Sequence, residues 1–191
     1  MMKESKEVLK QRILNGAIAL FIERGVEKVS TRDVTEALGL SRSHIYYYFS
    51  DWQALCIAAL SHYLESDLAA FSASITDRTP AEKLNALIDN YLPDSPDAVW
   101  QLYSSLWQMA AHNAAFADLA ESLTLKWDRF ITKIINEGKA AGTFGDVDTV
   151  RITRQLSALL NGYSDNLLIK FTPEKRSEAV TDINAFIEQI R

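Results

Sequence analysis

Residues 30–55 of this 191-residue chain read STRDVTEALGLSRSHIYYYFSDWQAL. Thr31 has the chemistry of a helix N-cap, and Asp33 follows in the first turn, where a negative charge favours the helix dipole. A short inward face follows at helical spacing: Val34, Ala37 and Leu38. Gly39 then ends the helix. The stretch therefore opens with one short amphipathic helix.

A second short helix follows the turn at Gly39. Ser41 has the side chain of an N-cap, and Ile45 and Phe49 lie one turn apart, so both face inward. Two short helices joined by a glycine turn form a helix-turn-helix. A longer helix, from about Glu4 to Arg24, precedes them. Its buried stripe consists of Leu9, Ile13, Ala17, Leu20 and Phe21.

The composition of the whole chain favours an all-α fold. Hydrophobic residues make up 48% and charged residues 24%, which is typical of a globular protein, and only 7 glycines and 4 prolines interrupt the chain. We predict about nine helices: the three above, a long fourth helix capped by Ser50 or Asp51, and five more. These five are predicted at about residues 80–92, 96–112, 115–141, 148–171 and 173–190.

Two of the later helices begin with a recognisable cap. Thr79–Pro80 and Ser95–Pro96 each consist of a capping residue followed by proline at the first helical position.

Charge and helix pattern divide the chain into two parts. We predict a helix-turn-helix head at residues 1–52, joined through the long fourth helix to a helical domain at residues 53–191. The head holds 8 Lys and Arg against 7 Asp and Glu, whereas the remainder carries a net charge of -6. An acidic body repels phosphate, so only the head is a candidate for contact with nucleic acid.

The head resembles the DNA-binding segment of the TetR family of transcriptional regulators. The motif residues occur in order near the N-terminus, and the rest of the chain matches only in its helix pattern. They are Thr31-Arg32-Asp33, Gly39-Leu40-Ser41 and Ile45-Tyr46-x-Tyr48-Phe49. The resemblance implies a sequence-specific DNA-binding regulator. It also implies that the C-terminal domain carries an effector pocket and a dimer interface.

The third helix supplies the candidate DNA contacts. With Ile45 and Phe49 buried, its other sides can enter a major groove. Arg42 can donate twice to guanine, and Ser43 and Tyr47 can bond or pack at base edges, so we predict base contacts for these three. The resemblance implies backbone contact or support of the recognition helix for Thr31, His44, Tyr46 and Tyr48, and Trp52 is a further candidate for DNA contact. One face of the first helix could add a salt-sensitive contact through Lys3, Lys6 and Lys10.

Two positions depart from the family pattern. Trp52, beside Asp51, stands where the family often has a lysine that meets a phosphate. Its indole N–H can donate to a phosphate, or its ring can simply pack. Thr35 stands where the family tends to carry alanine at a close helix crossing.

Aromatic residues in the body are candidate effector contacts. Trp100, Tyr103 and Trp107 lie at helical spacing, and such rings can line a cavity for a small organic molecule, including a cationic one. The predicted ligand-binding residues are Tyr91, Trp100, Tyr103, Trp107, His112, Phe116, Trp127 and Tyr163. The alternative is that the aromatic stripe is ordinary core. The identity of the effector stays open.

The last two helices are candidates for a homodimer interface. Each carries an apolar stripe, Ile152, Leu156, Leu159, Leu160, Tyr163 and Leu167 on one, Val180, Ile183, Phe186, Ile187 and Ile190 on the other. Ala158 and Gly162 would permit close approach in a four-helix dimer interface. Packing within one subunit is the alternative. A two-fold dimer can read both half-sites of a palindrome, which favours the dimer.

We therefore predict a cytoplasmic repressor that a small-molecule effector releases from a palindromic DNA operator. We expect no cofactor, metal site or catalytic residue, because the histidines are scattered, Cys56 is alone and no catalytic motif is present. An enzyme is one alternative. A helical interaction protein that has lost DNA binding is another, which Trp52 and the modest charge of the head make reasonable.

Overall fold

The computed structural model describes residues 5–92, 94–95 and 97–191. Over these residues the chain forms nine α-helices and no β-strand, so the all-α prediction is confirmed. The helices are α1 (Lys6–Arg24), α2 (Thr31–Leu38), α3 (Arg42–Tyr48), α4 (Trp52–Ser74), α5 (Pro80–Tyr91), α6 (Ala98–Ala110), α7 (Ala114–Ala140), α8 (Thr149–Ile169) and α9 (Pro173–Glu188). A 3-10 turn at Val26–Lys28 separates α1 from α2.

The start of α2 differs from the prediction by one residue. Thr31 is the first helical residue, and the N-cap is Ser30. The hydroxyl of Ser30 accepts from the backbone N–H of Asp33, whose carboxylate accepts from the backbone N–H of Ser30 at 2.8 Å. These bonds from Ser30 hold the pKa of Asp33 below its usual value. A serine with an acidic residue three positions later satisfies two free backbone donors at once, which decides between the two neighbouring hydroxyl residues.

The inward face of α2 also differs in one position. Val34 is fully buried, but Ala37 is exposed and Thr35 takes its place in the buried face. The hydroxyl of Thr35 donates to the backbone carbonyl of Arg32 at 2.8 Å, so burial leaves it with a partner. Gly39 ends α2 with a left-handed backbone, φ 63°, a conformation that glycine adopts without steric penalty.

Several other helix boundaries follow their predicted caps. Ser41 precedes α3, and Thr79 caps α5 with Pro80 at the first position. Of the two alternatives at α4, Asp51 is the cap, because its carboxylate accepts from the backbone N–H of Ala54 at 2.8 Å.

Two predicted helix starts touch residues outside the described ranges. These are Glu4, near the start of α1, and Pro96, before α6. The described part of α1 begins after its N-cap, Ser5, and α6 begins at Ala98.

The chain divides into two compact units, each built from two stretches of sequence. The first unit consists of residues up to 67 together with 98–123, and the second of residues 68–97 together with 124–191. The division predicted after residue 52 separates a DNA-binding part from an effector-binding part, not two compact units, and it stays a prediction.

The first unit has a continuous apolar core. Helix α1 supplies its centre through Ile13, Ala17 and Phe21, all at most 2% exposed. Helix α6 contacts α1 and contributes Leu102 and Leu106 to the same core. The helix-turn-helix therefore rests on one packed block that includes α6.

The second unit is held by packing and by polar ties between its helices. Helix α8 packs against α5 and α9. The Lys83 ammonium on α5 donates to the Glu137 carboxylate on α7 at 2.7 Å, with only 13% of the lysine side chain exposed. From α9, Arg176 donates to the backbone carbonyl of Leu92 at 2.6 Å and to Asp89 at 3.1 Å. Helix α9 is therefore held by its packing on α8 and by the bonds of Arg176 to the end of α5.

No described helix combines the length and the apolar character needed to span a lipid bilayer.

Candidate nucleic-acid interface and ligand-binding residues

The recognition helix, α3, buries one side and presents the other. Ile45 is fully buried and Phe49, just after the helix, is 5% exposed. The side chains on the remaining faces are exposed: Arg42, Ser43, His44, Tyr46 and Tyr47. The structure thus brings five of the eight predicted DNA contacts onto one short exposed helix surface.

Arg42 is the first residue of α3 and is exposed. Among the described residues, its guanidinium has neither an ion pair nor a hydrogen-bond partner. Its fork of five donors is therefore free to meet an acceptor pair such as guanine O6 and N7.

His44 has a defined orientation at the start of α3. The backbone N–H of Ser41 donates to His44 Nδ1 at 3.2 Å, so this nitrogen accepts and the ring proton resides on Nε2. The Ser41 hydroxyl lies 2.8 Å from the same Nδ1 and 2.7 Å from the Ser43 hydroxyl. The Nε2–H of His44 is the donor that this network leaves for a phosphate oxygen.

The three consecutive tyrosines occupy different environments. Tyr46 is 49% and Tyr47 62% exposed, whereas Tyr48 is half-buried and packs against the core. The Tyr47 and Tyr48 rings meet edge to face with centroids 4.9 Å apart. Lys6, from α1, donates to the Tyr47 hydroxyl at 2.6 Å. Tyr48 therefore supports the helix, and Tyr46 and Tyr47 are the tyrosines that can reach a ligand.

The remaining two predicted contacts flank α3. Thr31 is half-buried at the start of α2. Trp52 is half-buried at the start of α4, and its ring meets Phe21 edge to face with centroids 6.0 Å apart. The Trp52 ring therefore packs against Phe21, and a contact between Trp52 and DNA stays a prediction.

A polar tie next to Trp52 escaped the sequence analysis. The Asn113 amide donates to the Gln53 side-chain oxygen at 2.7 Å, and its own oxygen accepts from the backbone N–H of Ala115 at 3.0 Å. Asn113 thus caps α7 while holding the first turn of α4. An asparagine directly before a helical run is a recognisable cap, but its partner 60 positions away has no local signal.

In the second unit, two of the predicted ligand residues lie together. The rings of Tyr91 and Trp127 meet edge to face with centroids 5.3 Å apart. Phe71 and Phe130 complete this group, at 5.9 and 6.0 Å from Trp127. We call Phe71, Tyr91, Trp127 and Phe130 the aromatic cluster. It joins α4, α5 and α7, and Trp127 is its most buried member at 6% exposure.

The other predicted ligand residues fall into separate settings. In the first unit, Phe116 belongs to the apolar core and Tyr103 and Trp107 pack against it, as in the ordinary-core alternative. Trp100 is half-buried on α6, and His112 is exposed in the turn after it. In the second unit, the Tyr163 hydroxyl donates to Asp182 on α9, which raises the pKa of the phenol.

The apolar stripes of α8 and α9 pack largely inside the subunit. Leu156, Leu160 and Ile183 are fully buried there, as the intramolecular alternative has it. The outer face of α8 carries exposed Ala158 and Gly162 instead. A partner subunit could therefore meet the outer face, not the buried stripes.

Comparison with known proteins places this geometry in a family. Residues 13–59 match the model of bacterial regulatory proteins of the tetR family, and residues 80–191 match the C-terminal model of BetI-type transcriptional repressors. The chain belongs to the TetR family. It is a TetR-family transcriptional regulator, as the helix-turn-helix motif predicted.

Solved TetR-like structures agree over nearly the whole chain. A transcriptional regulator from Saccharomonospora viridis in complex with choline is 25% identical, with a TM-score of 0.79 over 94% of this chain and 95% of that one. A TetR regulator from Haloarcula marismortui is 22% identical, with a TM-score of 0.81 over 96% and 98%. One from Cytophaga hutchinsonii is 21% identical, with a TM-score of 0.83 over 100% and 98%. A search of curated protein sequences finds no match.

Membership in the TetR family indicates a non-enzymatic regulator that binds DNA and small molecules and acts as a dimer. Burial raises the pKa of the Cys56 thiol to about 12, which disfavours its thiolate form.

Proposed function

We propose that this TetR-family chain is a dimeric repressor that inserts α3 into the major groove of a palindromic operator and is released by a small organic cation. The observation that carries the proposal is the exposed surface of α3, on which the Arg42 guanidinium has no partner among the described residues and Ile45 anchors the buried side. The proposal includes a cytoplasmic location, in which the protein would meet its operator.

On the DNA side, Arg42, Ser43 and Tyr47 read base edges. Thr31, His44, Tyr46, Tyr48 and Trp52 contact the backbone or support α3, and the Nε2–H of His44 suits a phosphate oxygen. The head has a net charge of only +1, so specific contacts must carry more of the binding than general attraction does. We expect a repressor with a moderate dependence on salt.

On the effector side, the chemistry favours a quaternary ammonium such as choline. A cation is attracted to the faces of Trp, Tyr and Phe rings. The aromatic cluster gathers four such rings from three helices, and the acidic composition beyond residue 52 also attracts a cation. The structural relative from Saccharomonospora viridis was solved with choline, and the C-terminal match is to BetI-type repressors. The predicted ligand residues outside the cluster, Trp100, Tyr103, Trp107, His112, Phe116 and Tyr163, enter the same binding assay as single variants.

The dimer interface that we propose lies on the outer faces of α8 and α9. Ala158 and Gly162 are exposed at the centre of the α8 face, and the exposed Ile169, at 82%, lies near its end. Small residues allow two helices to approach closely, and an exposed isoleucine gains from burial.

Gly162→Leu tests this interface. Apart from the two neighbouring residues and the backbone of α8 itself, no atom lies within 4 Å of the position that a Cβ would take at residue 162, so leucine fits the isolated subunit and its fold should persist. Against a second α8 it would clash, and we expect the variant to be monomeric by sedimentation velocity at micromolar concentration. Gly162→Ala serves as the control and should stay dimeric. A dimeric Gly162→Leu would place the interface elsewhere.

Effector and operator must weaken each other's binding affinity by the same factor. If choline binds the released conformation better, saturating operator must weaken choline binding as much as choline weakens operator binding. Choline affinity that is unchanged by saturating operator would refute this coupling. A choline-dependent gain in operator affinity would instead indicate a corepressor.

The first experiment is selection of a binding site from a random duplex library, followed by anisotropy titration with and without choline. A selected palindrome and its release by choline support the proposal. The uncharged tert-butyl isostere of choline should release the protein much less, because the ring faces attract the charge. Failure to select any DNA, with a folded dimer, would favour the interaction-protein alternative.

A matched pair of variants then tests the aromatic cluster. Phe130 belongs to the cluster, whereas Phe144 is buried against Gly138, outside it. Phe130→Leu should weaken choline binding in calorimetry while Phe144→Leu leaves it unchanged. Equal choline affinity in both variants would move the effector away from the cluster.

A further inference from the structure

Lys6, the first residue of α1, reaches the recognition helix 41 positions away. Its ammonium donates to the Tyr47 hydroxyl at 2.6 Å and lies 5.2 Å from the centre of the Tyr47 ring. The Lys6 ammonium is charged at neutral pH like that of any exposed lysine, and the bond to Tyr47 raises its pKa further. Both side chains are exposed, and Tyr47 belongs to the α3 surface that the proposed function places against DNA.

The contact limits what Tyr47 can do. A lysine ammonium has only donors, so the phenol oxygen must accept from it. The O–H proton of Tyr47 is left to point away from Lys6, toward another acceptor. The Tyr48 ring packs edge-on at 4.9 Å and limits the movement of Tyr47 further.

A tyrosine held in this way distinguishes between base edges. Guanine N7 and O6, adenine N7 and thymine O4 are acceptors in the major groove, whereas the amino groups of cytosine and adenine are donors. The Tyr47 oxygen already accepts a hydrogen bond from a charged donor, so its O–H is left to donate. It therefore suits the acceptor atoms of guanine, adenine and thymine and not the amino groups.

We propose that Lys6 is a specificity-determining positioning residue, which holds the Tyr47 hydroxyl as a hydrogen-bond donor to an acceptor on a base edge. The inference rests on the proposed function, since it requires α3 to enter a major groove. Through Lys6, α1 would then influence which base pair the protein prefers, although α1 itself need not contact a base.

The test compares site selection by the wild type, Lys6→Met, Tyr47→Phe and the double variant. Losing one neutral hydrogen bond should reduce the preference at one base pair in each half-site by about two- to tenfold. We expect the two single variants to lose preference at the same base pair. We also expect the double variant to resemble Tyr47→Phe, because Lys6 acts through the hydroxyl.

Lys10 provides the matched control on the same helix. Within the described part of the chain it has no hydrogen bond to α3, so Lys10→Met removes a charge without touching Tyr47. Its effect should be spread evenly over all sequences and should add to that of Tyr47→Phe. Lys6→Arg retains a charged donor and should preserve most of the base preference.

The outcomes separate the two proposals. An even loss of affinity in Lys6→Met, or additivity with Tyr47→Phe, overturns this inference while the proposed function stands. A wild type that selects no sequence overturns both. Thermal melts of each variant show that any loss arises in a folded protein.

Discussion

Replacing Arg42 by alanine is expected to weaken operator binding by about 2 to 6 kcal/mol in a dimer, because a bidentate contact of about 1 to 3 kcal/mol is lost in each half-site. Arg42 is exposed at the first turn of α3, and no described residue pairs with its guanidinium. The loss should fall on one base pair per half-site, at which the variant no longer discriminates. Anisotropy titration against the selected operator and its single-base variants measures both effects.

Arg32→Ala is the control for the loss of charge. Arg32 is also exposed in the head, but its guanidinium is paired with Glu36 at 2.6 Å. Removing it should change affinity little and evenly. If Arg42→Ala weakened binding to all sequences equally and lowered the salt dependence by about one charge per subunit, Arg42 would be a phosphate contact and not a base reader.

Replacing Trp127 by alanine is expected to lower the free energy of unfolding by about 3 to 5 kcal/mol, the usual range for truncating a buried aromatic residue. Trp127 is 6% exposed and contacts the rings of Phe71, Tyr91 and Phe130. Each such ring pair adds about 0.5 to 1.5 kcal/mol beyond the burial of area. Urea denaturation followed by circular dichroism measures the change.

Trp127→Phe separates stability from ligand recognition. The smaller ring keeps an aromatic face in the cluster, so the variant should remain folded at room temperature. Tryptophan is the strongest ring partner for a cation, and we expect choline binding to weaken in calorimetry. A destabilised variant with unchanged choline affinity would show that Trp127 is structural only.

The head was predictable because its signals are local. The one-turn spacing of Ile45 and Phe49 predicts that both are buried, and Gly39 predicts the turn. The cap of α2 was misassigned to Thr31 although Asp33 stands three residues after Ser30, the spacing of a reciprocal cap. That error lay in weighing two adjacent hydroxyl residues, not in any missing information.

The body was less predictable because its contacts join distant stretches. Helical spacing grouped Trp100, Tyr103 and Trp107, yet the aromatic cluster takes one or two rings from each of three helices. An apolar stripe also has the same pattern whether it packs inside a subunit or against a partner. Leu160 and Ile183 pack inside, and only the observed burial reveals this.

The interleaved make-up of the two compact units has a consequence for protein engineering. Residues up to 67 form one compact unit with 98–123, so a chimera that transplants only the helix-turn-helix would leave α6 and the start of α7 behind. Leu102 and Leu106, buried in that shared core, would then face a foreign surface. A biosensor with exchanged DNA specificity should instead graft both stretches at once, or change only the exposed side chains of α3. In this protein, surface side chains can be exchanged independently, whereas a single segment of the chain cannot.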